Sequence, residues 1–299
     1  MNARLLSLLY FQPLMIERNA WDSLLAANDG VQYQRPVISP ARTCSSCDEP
    51  MLLPARYLRL GVLELRTLSV SEACLIDPAL PIPNDTAIIA IKGMIVKHAE
   101  EWECEYMDLT DLDDVDAALA HVAADANIRN VLLNFVNCPG GSCIGVPETA
   151  ARVAQLRRTK NVISFTDSVC CSAGIYIGSQ ASEFFVTESA HTGSIGSIRP
   201  PIIDISEQLK ANGVKATIIK AGKFKDTGTM LRPITAEEIA MLQAYVDRTN
   251  AMFTTAVKSA RPRMTADSME GQIFFGRQAV EVGLADAVLP DMAAALAAF

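Results

Sequence analysis

The sequence predicts an α/β fold of repeated βαβ units behind an irregular N-terminal arm, and two observations carry that expectation. From about residue 86 onward, apolar runs of strand length alternate with segments of helical periodicity, the pattern of a parallel sheet. Ahead of it, Pro36, Pro40, Pro50, Pro54, Pro78, Pro81 and Pro83 fall at a density that suits an extended arm with short elements. The expected organisation is an arm and linker over 1–85, one α/β domain over 86–290, and an alanine-rich tail over 291–299.

Within the domain, Ala87-Ile88-Ile89-Ala90-Ile91 reads as the first buried strand, stopped at Gly93. Thr110 with Asp113 reads as an N-cap and its N3 carboxylate. Leu112, Val115, Leu119 and Val122 recur behind it at helical spacing, giving a helix with one buried face. Val131–Val136 is the second strand and runs into Cys138-Pro139-Gly140-Gly141-Ser142, a turn whose glycines reach backbone conformations closed to other residues. A helix is expected from Pro147.

Val162-Ile163-Ser164-Phe165 is a third strand leading to Ser172, and Phe184-Phe185-Val186 a fourth leading to Thr192-Gly193-Ser194-Ile195-Gly196. A helix over 203–212 and a strand over 214–219 then deliver the chain to Lys225. Thr235-Ala236-Glu237-Glu238 is a capping box. It opens a long helix with Ile239, Leu242, Val246, Phe253 and Val257 on one face, ended before Pro262.

Composition narrows the function classes. A net charge of −8 and a pI near 5.0 leave no broad basic face, so nucleic acid is not an expected partner. The eight cysteines, at 44, 47, 74, 104, 138, 143, 170 and 171, have no repeated spacing and do not form a secreted disulfide framework. Cys44-Ser45-Ser46-Cys47 is a lone CxxC, half of a zinc site, and is read as incidental or structural. No metal site or cofactor is expected.

No apolar run is long enough to span a bilayer. Leu5-Leu6-Ser7-Leu8-Leu9-Tyr10-Phe11 after Arg4 resembles a short signal-peptide core, but Gln12 and Pro13 interrupt it. The segment is read as a docking element of a cytoplasmic protein.

In βαβ folds functional groups gather on loops at the carboxyl ends of strands, and the glycine turn, Ser172, Ser194 and Lys225 all follow predicted strands. Ser172, in Cys171-Ser172-Ala173-Gly174-Ile175-Tyr176, sits between an apolar strand and a small-residue stretch able to start a helix. With three histidines in the chain, a lysine is the expected base for such a serine. A serine hydroxyl is a weak nucleophile until a neighbour takes its proton, and a lysine does so only when neutral. Bringing a lysine from about 10.4 to about 7 takes about 4.6 kcal/mol of bias against the ammonium form.

Lys225, in Lys220-Ala221-Gly222-Lys223-Phe224-Lys225-Asp226, is the first candidate, with Lys223 one side-chain alternation away. Asp226 would hold the amine charged if its carboxylate faced it. His191 is the alternative base, whereas His98 and His121 stand outside any motif and are read as structural.

These motifs together resemble the signal peptide peptidase A type of serine peptidases, which share the fold of Clp protease and crotonase. The resemblance covers about 87–289. It rests on Asn137-Cys138-Pro139-Gly140-Gly141-Ser142, the Ser172 segment, Thr192-Gly193-Ser194-Ile195-Gly196, the Lys225 segment with Arg232-Pro233-Ile234-Thr235, and Gly283-Leu284-Ala285-Asp286. Within that group the chain is similar to the capsid assembly (prohead) proteases of tailed phages, through Pro13-Leu14-Met15-Ile16.

The resemblance implies Ser172 as nucleophile, Lys225 as base, Ser194 as a hydroxyl positioning the lysine, and an oxyanion hole of backbone N–H groups from Gly140, Gly141 and Ala173. Cys138 stands where the family usually has serine, and Ala173 where glycine is usual. The resemblance further implies polypeptide substrates, namely capsid, scaffold or portal precursors, and a homo-oligomer whose subunits can share active sites. Alternatives are a host signal-peptide or membrane-protein peptidase, a crotonase-like acyl-CoA enzyme, and a non-enzymatic scaffold component.

Overall fold

A regular alternation of strands and helices organises the chain in the computed structural model, which describes residues 14–16, 82–83, 85–99, 103–104 and 107–299. Cys44 and Cys47 lie outside the described residues. An N-terminal strand β1 (Leu14–Ile16) is followed by β2 (Thr86–Lys92), β3 (Met94–Val96), β4 (Leu109–Asp111) and helix α1 (Leu112–Ala124). Then come β5 (Asn130–Val136), β6 (Gly140–Ser142), α2 (Val146–Leu156), β7 (Asn161–Thr166), β8 (Val169–Cys171) and α3 (Ala173–Gly178). The remainder is β9 (Glu183–Val186), β10 (His191–Gly193), α4 (Ser206–Ala211), α5 (Ala236–Ala260), β11 (Ile273–Phe275), α6 (Gly276–Glu281), β12 (Ala287–Val288) and α7 (Met292–Leu296).

The central sheet is parallel throughout, in the order β12-β9-β7-β5-β2. Both faces are covered, so its strands read as continuous apolar runs. Ile89, Ile91, Leu133, Phe135 and Phe184 point into the larger core, shared with α1, α2 and α3. Their alternate neighbours Ile88, Leu132, Ile163, Phe165 and Phe185 form a second cluster with Ala295 and Leu296 of α7. Each such fully buried side chain contributes about 1.5–3 kcal/mol. The alanine-rich C-terminal stretch therefore folds as a short helix on the sheet, capped by Asp291, whose side chain accepts from the Ala294 N–H. Smaller sheets, β1-β6-β3-β4 and β11-β10-β8, stand beyond the strand ends.

Three sequence expectations change in detail. The cap of α1 is Asp111, whose carboxylate accepts from the Asp113 N–H at 3.0 Å. Thr110 is used elsewhere: its hydroxyl donates to the Lys92 carbonyl at 2.7 Å and accepts from the Lys92 N–H at 2.8 Å, tying β4 to the end of β2.

Residues 214–219 form no strand; they are exposed, with Ile219 96% accessible. An apolar run makes a strand only beside an open sheet edge, and this segment pairs with no strand among the described residues.

The third difference is in α5. Its capping box is present, with the Glu238 N–H donating to Thr235 Oγ1 at 3.2 Å and the Thr235 N–H to Glu238 Oε2 at 2.9 Å. Only the C-terminal half docks. Phe253 and Val257 are buried and the Phe253 ring stacks on Tyr176 of α3 at 4.9 Å, whereas Ile239 is exposed and Leu242 and Val246 are half-buried.

Just past α5, the buried Arg261 donates to the carbonyls of Ser179 and Ala181 at the end of α3 and pairs with Asp286. Asp286 also accepts from the Phe184 N–H at 2.8 Å. This gives the closing Gly283–Asp286 motif a physical task, since it locks the serine-bearing helix to the sheet.

Candidate active site

Three turns converge where the strands end. The Cys138 N–H donates to the Val169 carbonyl and the Cys171 N–H to the Cys138 carbonyl, both at 2.8 Å, which lays the approach to β6 along β8. The Ser172 N–H then donates to the Gly193 carbonyl at 2.8 Å, bringing the Gly193-Ser194 turn against the serine. Ser172 is the residue between β8 and α3, with φ 52° and ψ −113°. A non-glycine residue held in such a region costs about 1–3 kcal/mol and persists only when the surroundings enforce it. The residue is 1% exposed, and among the described residues its Oγ has no hydrogen-bond partner.

The backbone beside Ser172 and in the glycine strand is tightly constrained. Ala173 is the first residue of α3, so its N–H has no acceptor within the helix. Gly140 has φ 104°, and a Cβ on Gly141 would lie 1.9 Å from the Ile95 carbonyl oxygen. Gly141→Ala should therefore destabilise the fold by about 3 kcal/mol, measured as a shift in urea midpoint at unchanged slope. An unchanged midpoint would mean that β6 is free to move away from β3.

Gly174 lets α3 sit tightly on two thiols, since a Cβ there would lie 3.0 Å from Cys138 Sγ and 3.2 Å from Cys170 Sγ. Burial pushes the Cys138 thiol up to about 12 and the Cys170 thiol well above its ordinary value. Both are neutral at physiological pH, so neither is a reactive thiolate beside Ser172.

Ser194, half-buried with φ 52°, donates its N–H to the Gln272 carbonyl at 2.6 Å. Lys225 makes no such link. It is exposed in the turn ahead of α5, its N–H reaching the Gly222 carbonyl at 3.3 Å, and no hydrogen bond joins it to Ser172. Backbone hydrogen bonds thus tie the Ser172 turn to the Cys138 and Gly193 turns, and none among the described residues joins it to Lys225.

What holds the lysine turn is a clamp whose role the sequence did not disclose. Asp226 is taken up by Lys220 and by Arg232, whose Nε donates to Oδ2 at 2.8 Å. Arg232 continues to Glu238, with Nη2 to Oε1 at 2.6 Å and Nη1 to Oε2 at 2.9 Å, and Thr227 adds a hydroxyl at 2.9 Å. The Asp226 carboxylate therefore faces two cations other than Lys225. Lys223 pairs with Glu237.

Arg232 above all, then Lys220, holds the Asp226 carboxyl well below the usual range, and Arg232 followed by the Thr235 N–H does the same for Glu238. Groups with depressed folded values contribute stability above their unfolded values and lose it as pH falls toward the folded ones. Arg232→Met should lower Tm by an amount constant above about pH 5 that shrinks as pH drops below about 4. A gap independent of pH would show that Arg232 acts through packing alone.

His191 lies on β10 with its ring edge-on to Phe275 at 4.5 Å, and no hydrogen bond connects it to Ser172. His98 pairs with Asp113, and His121 is on α1 with a buried Nε2. Among the described residues no group of three or more His, Cys, Asp or Glu side chains is arranged to hold a metal, and no helix is long and apolar enough to cross a membrane.

Residues 154–297 match the model of peptidase family S49. Over that segment the chain is similar to the family. The segment contains Ser172, Ser194 and Lys225, while the Gly140–Ser142 strand precedes it. Individual relatives extend the likeness upstream. The chain is 28% identical over 208 residues to capsid assembly protease C of Escherichia phage lambda, covering 69% of this chain and 46% of that protein. To head-tail preconnector protein GP5 of Enterobacteria phage P21 it is 28% identical over 211 residues, 70% of this chain and 41% of that one.

A protein of Enterococcus faecium named after signal peptide peptidase SppA is 30% identical over 174 residues, 57% of this chain and 50% of its own. The chain thus spans half or less of the length of these relatives. The S49 match, the protease-named relatives and the mixed α/β fold with its parallel sheet together support a protease role.

Proposed function

We propose that this chain is a serine endopeptidase in which Ser172 is the nucleophile and Lys225 of a neighbouring subunit is the general base. The observation that carries the reading is Ser172 itself: strained, buried, at a strand-to-helix turn, with its hydroxyl unpartnered. A group kept at such cost in stability is expected where it reacts.

The neutral Lys225 amine accepts the Ser172 proton as Oγ attacks the scissile carbonyl carbon. The oxyanion that forms is held by backbone N–H groups of Gly140, Gly141 and Ala173, a contribution of about 2.7–4 kcal/mol per donor. The lysine ammonium then protonates the leaving amine, giving an acyl-enzyme, and water takes the same path in reverse. Ser194 orients the amine. The Arg232 clamp keeps the Asp226 carboxylate away from it, and Lys223 is engaged with Glu237.

A neighbouring subunit is favoured by the exposed apolar residues of the 198–245 stretch that contains Lys225. Ile198, Ile203, Val214, Ile219, Met230 and Tyr245 are all more than 40% exposed, an apolar surface of the kind that marks protein association. Pairing with a second copy would also give residues 214–219 a sheet edge, which they do not have among the described residues.

The substrates that fit this reading are capsid, scaffold or portal precursors in a phage-infected or lysogenic cell, cut in the cytoplasm or within the prohead. The test is covalent. A serine-directed fluorophosphonate should leave one adduct, mapped by peptide mass spectrometry to Ser172 and absent from Ser172→Ala. A lasting adduct on any other side chain, or none on Ser172, contradicts the assignment.

A further inference from the structure

We infer that the outer edge of β6 is the binding site for an extended polypeptide strand, and that Leu14–Ile16 is its internal occupant, which must leave before a substrate pairs there. The inference rests on the Ser172 reading above and concerns how substrate reaches that site.

Three observations meet at β6. First, its inner side is closed: Gly141 bridges Ile95 of β3 in parallel, so tightly that no Cβ fits at that position. Second, its outer side carries β1, antiparallel, with Leu14 opposite Ser142, Met15 opposite Gly141 and Ile16 opposite Gly140. Third, β6 continues backward to Cys138, which is bridged to Cys170, two residues from Ser172. Stepping along β1 from Leu14 to Ile16 therefore moves along β6 from Ser142 toward Cys138, in the direction of the serine.

A peptide attacked by Ser172 with its oxyanion on the Gly140 and Gly141 amides has to lie along this same strand. Only one chain can pair with the outer edge of β6 at a time. Strand addition of this kind takes its affinity from main-chain hydrogen bonds and tolerates many side chains, which suits a glycine-rich edge. The arm and an incoming polypeptide thus compete for one set of backbone groups. The arm has the advantage of being tethered, with an effective concentration that a dilute substrate must overcome. The apparent affinity for substrate falls by the fraction of molecules in which the edge is open.

The test breaks the β1 ladder in the full-length chain. Met15→Pro and Ile16→Pro each remove an N–H and bar regular pairing. In a Ser172→Ala background, where no turnover occurs, a fluorescent peptide of the sequence of residues 12–18 should bind about tenfold more tightly to either proline variant than to the unbroken arm. With Ser172 intact, both variants should hydrolyse an unrelated peptide with KM lowered about tenfold and kcat little changed, and the arm peptide should inhibit competitively.

Equal or weaker peptide binding in the variants, or failure of both to fold where the unmodified chain folds, overturns the inference and makes β1 a fixed strand. Tighter arm-peptide binding with no hydrolysis by any variant leaves the strand site standing and sinks the Ser172–Lys225 reading instead.

Discussion

Ser172→Ala is expected to lower peptide hydrolysis by on the order of 10⁶-fold, the scale of removing a serine nucleophile from an otherwise intact site. The same substitution should raise stability. The Ser172 hydroxyl is buried with no partner among the described residues, so deleting it removes an unsatisfied polar group at little packing loss. The gain is about 1 kcal/mol, limited because alanine inherits the strained φ of 52°. Activity and urea midpoint measured on one preparation check both halves. A variant that loses stability along with activity would mean that the hydroxyl is a structural hydrogen-bonding group.

Lys225→Ala should reduce turnover by about 10³–10⁴-fold, the range for losing a general base, with no loss of fold because the side chain is exposed. His191→Ala should retain most activity, since that ring packs on Phe275 and makes no hydrogen bond to Ser172. Inversion of the two results, with Lys225→Ala active and His191→Ala dead, would move the base to histidine. Lys223→Ala separates the two neighbouring lysines: it breaks the pair with Glu237 and should leave turnover within a few-fold of the parent.

The parts legible in the sequence were those set by local pattern. The strands around Ile88, Leu132, Ile163 and Phe184 announced themselves because a sheet buried on both faces makes each strand a continuous apolar run. The capping box at Thr235 needed only four residues to be recognised. Patterns whose partners lie far along the chain were less readable.

Strand β1 is three residues long and exists by pairing with residues more than a hundred positions away. The clamp of Arg232 on Asp226 and Glu238 requires a turn to fold back on a helix start. The apolar residues of 214–219 and of the first half of α5 have the composition of buried elements but are exposed or only half-buried in the single chain, and no sequence period distinguishes a core face from a subunit face. For the same reason the spacing of Ser172 and Lys225 identifies two motifs without saying whether one chain brings them together.

The central claim is that catalysis joins Ser172 of one subunit to Lys225 of another, and complementation between two inactive variants tests it most directly. Ser172→Ala and Lys225→Ala, each inactive alone, are mixed under conditions that allow subunits to exchange, and peptide hydrolysis is followed beside native mass spectrometry of the mixed oligomer. Some interfaces then place an intact Ser172 against an intact Lys225, so turnover should reappear, rise to a maximum near equal proportions, and fall when the mixture is diluted below its association constant. Mixed oligomers that form and stay inactive, or full turnover by a demonstrated monomer of the unsubstituted chain, would contradict the account.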